Sequence, residues 1–200
     1  MSFKDHAFRL RETAILDATT DALAQRGFDQ LTMDDIAVRV GISKPSLYKH
    51  FKSREDLVAA TMTRLLVQAQ HTLNTLQPDL SAYGQLSALL AWAIDVRLEG
   101  GLPFLPSTHA TIRDMLMRNS DYMAAMTPLN LRILQLIQEA KAAGDLSPAL
   151  PDMVILFSYY ARTCDPTVEF LQTFSDLSQE DIRQHMLAVC FQGLSGNAEH

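Results

Sequence analysis

The chain has 200 residues, a formal net charge of −6, 48% hydrophobic and 20% charged side chains, and two cysteines. That balance excludes a disordered chain, and the length allows a core that needs no disulfide or metal staple. The longest apolar run, Ala88 to Ile94, falls far short of the roughly 18 residues of a membrane span. Cys164 and Cys190 are too far apart for a CxxC site, and the charged N-terminal stretch MSFKDHAFRLRE has no apolar segment. Both point to a reducing cytoplasm and to no secretory signal.

Apolar residues recur at helical spacing between Gly and Pro marks, and no alternating strand pattern occurs. An all-α fold of about nine helices is expected. The first helix runs over about 7–26, with Phe8, Ile15, Leu16, Thr19 and Leu23 on one stripe and Gly27 after its end. Thr32, with Asp35 three residues on, caps a short helix over about 33–39 that ends at Gly41. Ser43 caps a third short helix, in whose first turn Pro45 is tolerated. Ser53 and Asp56 open a helix to about 76, which Pro78 closes. Further helices are expected over roughly 82–98, 105–118, 121–143, 151–173 and 179–193. The 82–98 segment is apolar nearly all round and should be buried. Pro128 should kink or split its helix, and Asp165-Pro166 can divide 151–173 into two pieces.

Charge is uneven. Residues 1–57 hold nine Lys+Arg and nine Asp+Glu, whereas residues 58–200 hold eight and fourteen. Any contact with nucleic acid must come from the N-terminal part, through aimed donors rather than a basic blanket. Thr32 to Phe51, TMDDIAVRVGISKPSLYKHF, has the order and lengths of a helix-turn-helix. Gly41 permits the reversal, and Ile36, Val40, Ile42 and Leu47 can fix the angle between the helices. The third helix then turns Lys44, Ser46, Lys49 and His50 outward, as a helix entering a major groove requires. Tyr48, His50 and Lys52 lie near its end, where phosphates would pass. The helix starts at Thr32 and Ser53 offer backbone N–H groups to phosphate oxygens.

Phe28 to Leu57 resembles the TetR/AcrR-type transcriptional regulators. The residues that carry the likeness are Gly27-Phe28, Thr32, Ile36-Ala37, Gly41-Ile42-Ser43, Leu47-Tyr48-Lys49-His50-Phe51, Lys52 and Glu55-Asp56-Leu57. They cover about a quarter of the chain. The resemblance implies a helix-turn-helix DNA-binding domain over 1–57 and an effector-binding and dimerisation domain over 58–200. It places Lys44, Pro45, Ser46 and Lys49 at base-reading positions. Thr32, Ser43, Tyr48, His50 and Lys52 fall at phosphate-contact positions. Pro45 departs from the small residue common there and leaves the operator sequence open. The implied partners are an operator in double-stranded DNA, a small-molecule effector and a second copy of the chain. The implied activity is repression rather than catalysis.

Beyond residue 60 no catalytic motif stands out, the six His form no metal-spaced pair, and no cofactor or metal is expected. Soft and aromatic side chains crowd the middle of the chain. Tyr83, Trp92, Phe104, Met117, Met123, Met126 and Tyr159 are candidates to line an apolar effector pocket, with Arg97, His109 and Arg113 orienting the ligand. Plain core packing is the better explanation of each apolar one of these taken singly, and Asp95, Glu99 or Asp114 could instead pair with the cations. Phe157, Tyr160, Cys164, Ile182, Met186, Val189 and Cys190 form stripes that either meet a second copy or close the chain's own core. Two other functions remain open: a small all-α enzyme with a structural N-terminal unit, and a protein-binding adaptor.

Overall fold

The computed structural model describes residues 2–102 and 110–194. Ten helices and no strand occur among them: α1 Phe3–Arg26, α2 Met33–Val40, α3 Lys44–Tyr48, α4 Arg54–Thr75, α5 Ala82–Leu98, α6 Ala110–Leu116, α7 Ser120–Ala143, α8 Asp152–Thr163, α9 Thr167–Phe174 and α10 Gln179–Gln192. The all-α expectation holds, and the tenth helix comes from the break that Asp165-Pro166 imposes on the 151–173 segment. Pro166, not Asp165, takes the cap position of α9, and the Asp165 carboxylate just before it accepts the Thr167 N–H at 3.0 Å and the Thr167 hydroxyl at 2.6 Å.

Side-chain caps start most of the other helices. The hydroxyls of Thr32, Ser53, Ser81 and Ser178 accept backbone N–H groups of Asp35, Asp56, Gly84 and Asp181 at 3.0–3.1 Å. Helix α1 begins four residues before the expected 7, because Ser2 and Asp5 form a capping box. Phe8 turns its ring onto His50 instead of into the core. It is 43% exposed rather than part of the inward stripe. Pro128 does not split α7, which runs unbroken through it. The proline withholds one N–H from the ladder, and the Gln70 amide of α4 donates to the neighbouring carbonyl of Ala125. Of the expected 105–118 helix, α6 is the part within the described residues.

Helix α5 is the centre of the body. No residue from Ala82 to Leu98 is fully exposed, as its all-round apolar character requires. Helices α4, α7, α8, α9 and α10 pack around it. The Tyr159 hydroxyl of α8 donates to the Leu86 carbonyl at 2.9 Å inside this core. Helix α4 joins the body to α1–α3, since its buried residues run from Leu57 to Leu73 and it packs on α1, α5, α6 and α7. Arg64 of α4 fastens α1 through Asp17 at 2.6 Å and Thr20 at 3.0 Å. No described helix is long and apolar enough to cross a membrane.

Candidate nucleic-acid interface

The reversal between α2 and α3 depends on backbone chemistry. Gly41 sits at φ 71°, ψ 33°, a left-handed conformation that costs glycine nothing. The Ile42 N–H returns to the Ala37 carbonyl at 3.0 Å and satisfies an end of α2. Ile36 and Leu47 are fully buried against each other's helices, with Leu31, Ala37 and Phe51 nearly so. This core side fixes which face of α3 turns outward. Pro45 removes no bond, because the first turn is closed by the Ser46 and Leu47 N–H groups on the Ser43 carbonyl.

The nine expected contact residues run from the start of α2 to the turn before α4 and differ in exposure. Thr32, Ser43, Lys44, Pro45, Lys49 and Lys52 are exposed, Tyr48 is 42% exposed, and Ser46 and His50 are half-buried. Two details were not legible in the sequence. The Lys44 ammonium sits 2.8 and 3.0 Å from the two oxygens of Asp34 in α2. That hydrogen bond and charge hold the Lys44 pKa above its ordinary value. Both groups face water, so the pair exchanges readily for a phosphate or a base edge. The second detail is His50. Its ring stacks on Phe8 of α1 at 3.9 Å between centroids, and its Nδ1 is buried without a hydrogen-bond partner. Burial pushes its pKa below 6.5, so the fold favours the neutral ring. Lys49 and Lys52 form no ion pair among the described residues and supply uncommitted positive charge.

The expected effector residues separate in space. A cavity of about 670 Å³ between α6, α7 and α8 brings together Arg113, Met117 and Met126. Leu116, Tyr122, Asn130, Leu134, Met153, Leu156, Phe157, Tyr160 and Ala161 complete its wall. Burial pushes the Tyr122 phenol up to about 12, and the Tyr160 hydroxyl donates to the Asn130 side chain. Met123 is half-buried beside this wall without lining it. Tyr83 packs on Phe191 of α10 at 5.0 Å, Trp92 packs on the core, and Tyr159 is buried within it. Arg97 lies at a different cavity, paired with Glu169. Phe104 and His109 lie outside the described residues. Tyr160, Cys164, Ile182 and Met186 are buried within the chain, so they close its own core, and Val189 and Cys190 are half-buried. Phe157 is 63% exposed and joins Met153 and Val154 in an apolar strip on α8. Among the described residues no group of three or more His, Cys, Asp or Glu side chains could hold a metal ion.

A buried α2–α3 corner mounted on an all-α body has the arrangement of a helix-turn-helix. The family model for bacterial regulatory proteins of the tetR family matches residues 15–61. Over 198 aligned residues the chain is 26% identical to the HTH-type transcriptional repressor KstR2 of Mycolicibacterium smegmatis, covering 92% of this chain and 91% of that protein. Other curated regulators are 36–41% identical over 54–66 residues, and these matches span only 25–31% of those proteins' length. A solved TetR-family regulator from Rhodococcus sp. is 26% identical, with a TM-score of 0.67 over 92% of this chain and 98% of that one. The fold is also shared with AibR, solved in complex with isovaleryl coenzyme A and operator DNA, at 19% identity and a TM-score of 0.69 over 90% and 98% of the two chains. Residues 15–61 thus match the tetR-family model of bacterial regulatory proteins, and the chain as a whole is similar to TetR-family regulators.

Proposed function

We propose that the protein is a ligand-responsive transcriptional regulator that binds a pseudo-palindromic operator as a homodimer and represses from it. The observation that carries this reading is the outward face of α3, with Lys44, Tyr48 and Lys49 exposed on a corner pinned by Ile36 and Leu47. Residues 1–57 would read the duplex and residues 58–200 would hold effector and partner. In a two-fold dimer, two α3 helices would enter successive major grooves about 34–36 Å apart. Such a protein works where the DNA is, in the cytoplasm.

The apolar cavity between α6, α7 and α8 suits an effector with a hydrocarbon part and an acidic or polar head, which Arg113 would meet at its wall. The acyl-coenzyme ligand of AibR is of that kind. The exposed strip Met153, Val154 and Phe157 on α8 is the surface we assign to the second copy. Effector binding would shift the dimer away from the operator-competent spacing, and coupling of about 1–3 kcal/mol is usual for such systems.

Selection of bound duplexes from a random pool tests this directly. We expect enrichment of one inverted repeat whose half-sites lie about one helical turn apart. Recovery of no shared sequence, with a captured protein partner or turnover of a substrate instead, would favour the adaptor or the enzyme.

A further inference from the structure

His50, in the turn after α3, meets α1 through its ring. Phe8 stacks on it at 3.9 Å between centroids with the planes 21° apart, and the buried Phe51 lies at 6.4 Å. From Phe3 to Ala14 no side chain of α1 is buried, so the stack holds a stretch that the core does not. Nδ1 of His50 lies inside this packing without a hydrogen-bond partner. A neutral imidazole can leave that nitrogen as a bare lone pair. The imidazolium carries an N–H on both nitrogens, and here it would bury one of them against nothing that accepts it. The stacked seat therefore selects the neutral ring. Burial is the largest cause that holds the pKa below 6.5; Glu12, four residues past Phe8, draws charge toward the ring, and Arg11 opposes it. A polar hollow beside the ring is lined by Glu12 of α1, Lys52 of the turn, Asp56 and Arg64 of α4, and Asp121 of α7. Among these groups and Arg11, the His50 imidazole alone is of a type that ordinarily changes charge between about pH 5 and 8.

We propose that the His50–Phe8 stack is a proton-operated latch: the neutral ring fastens the start of α1 to the end of α3, and the protonated ring leaves Phe8 and presents its charge to a backbone phosphate of the duplex. The proton comes from solvent, and the phosphate replaces Phe8 as the neighbour of the ring. The duplex half of this rests on the DNA-binding reading above, whereas the latch itself does not. A phosphate favours the imidazolium and the stacked seat disfavours it, so binding takes up a proton between the two midpoints. Affinity for duplex therefore rises as pH falls through that interval and levels off below the midpoint of the free chain.

The test has two arms. Histidine-ring NMR of the full chain without DNA follows the titration of His50, identified as the signal lost in His50→Gln. Phe8→Ala removes the stack at an exposed position. We expect the His50 midpoint to rise by about half a pH unit or more in this variant. Phe8→Leu, which keeps apolar bulk without the flat face, should move it in the same direction and serves if Phe8→Ala loosens α1. A midpoint unchanged in both variants would overturn the latch. Fluorescence anisotropy with the selected duplex from about pH 8 down to about pH 5.5 reads the other half. The natural chain should gain about threefold or more in affinity per protomer, the equivalent of half a pH unit between midpoints. His50→Gln should lose that gain, and Phe8→Ala should show it at higher pH. An equal gain in His50→Gln would overturn the phosphate contact. Absence of any duplex binding would overturn the DNA reading, and the ring titration would still decide the latch.

Discussion

Lys49→Ala lowers affinity for the selected operator by about tenfold or more while affinity for unrelated duplex stays nearly unchanged. The ground for this expectation is position. Lys49 follows the last turn of α3, is exposed, and has no ion pair among the described residues. A lysine that reaches a base edge carries about 1–3 kcal/mol of discrimination against the wrong base. Lys52 is its counterpart in the turn before α4, where a phosphate would pass. Lys52→Ala should weaken specific and non-specific binding alike and flatten the salt dependence by about one counterion per protomer. Fluorescence anisotropy over a salt series reads both. If the two variants behaved identically on every duplex, α3 would not be reading sequence.

Leu66→Ala should cost about 2–5 kcal/mol of stability in urea unfolding, the range for removing a fully buried leucine. Leu66 is completely buried halfway along α4, the helix that packs on α1, α5, α6 and α7. A cavity there loosens an element shared by the body and the α1–α3 unit. A cost below about 1 kcal/mol would mean that the site collapses freely and that α4 is not the structural link.

Features governed by neighbours in sequence were legible before the structure. Thr32, Ser53 and Ser178 each have an acid three residues on, and each caps a helix. Gly41 turns where a left-handed residue was needed. The all-round apolar 82–98 segment became the central helix. The same local signal, Ser2 with Asp5, marks the true start of α1. What escaped were pairings between distant residues. Arg97 meets Glu169 across 72 positions, and Tyr159 meets the Leu86 carbonyl across 73. Spacing identifies the apolar face of a helix, but not which of its side chains border a cavity. That is why Met117 and Met126 reach the α6–α8 wall, whereas Tyr159 lies within the core. Asp34 was visible as an acid in the first turn of α2, yet its hold on Lys44 depends on the angle between two helices.

Lysine-selective acetylation of the full chain, with and without its selected duplex, puts the outward face of α3 to the most direct test. Duplex should shield Lys44, Lys49 and Lys52, while Lys141, tied to Asp152 at 2.6 Å far along the chain, should react equally in both samples. Equal labelling of the three α3-side lysines in a sample shown to hold bound duplex would mean that the chain grips DNA with another surface.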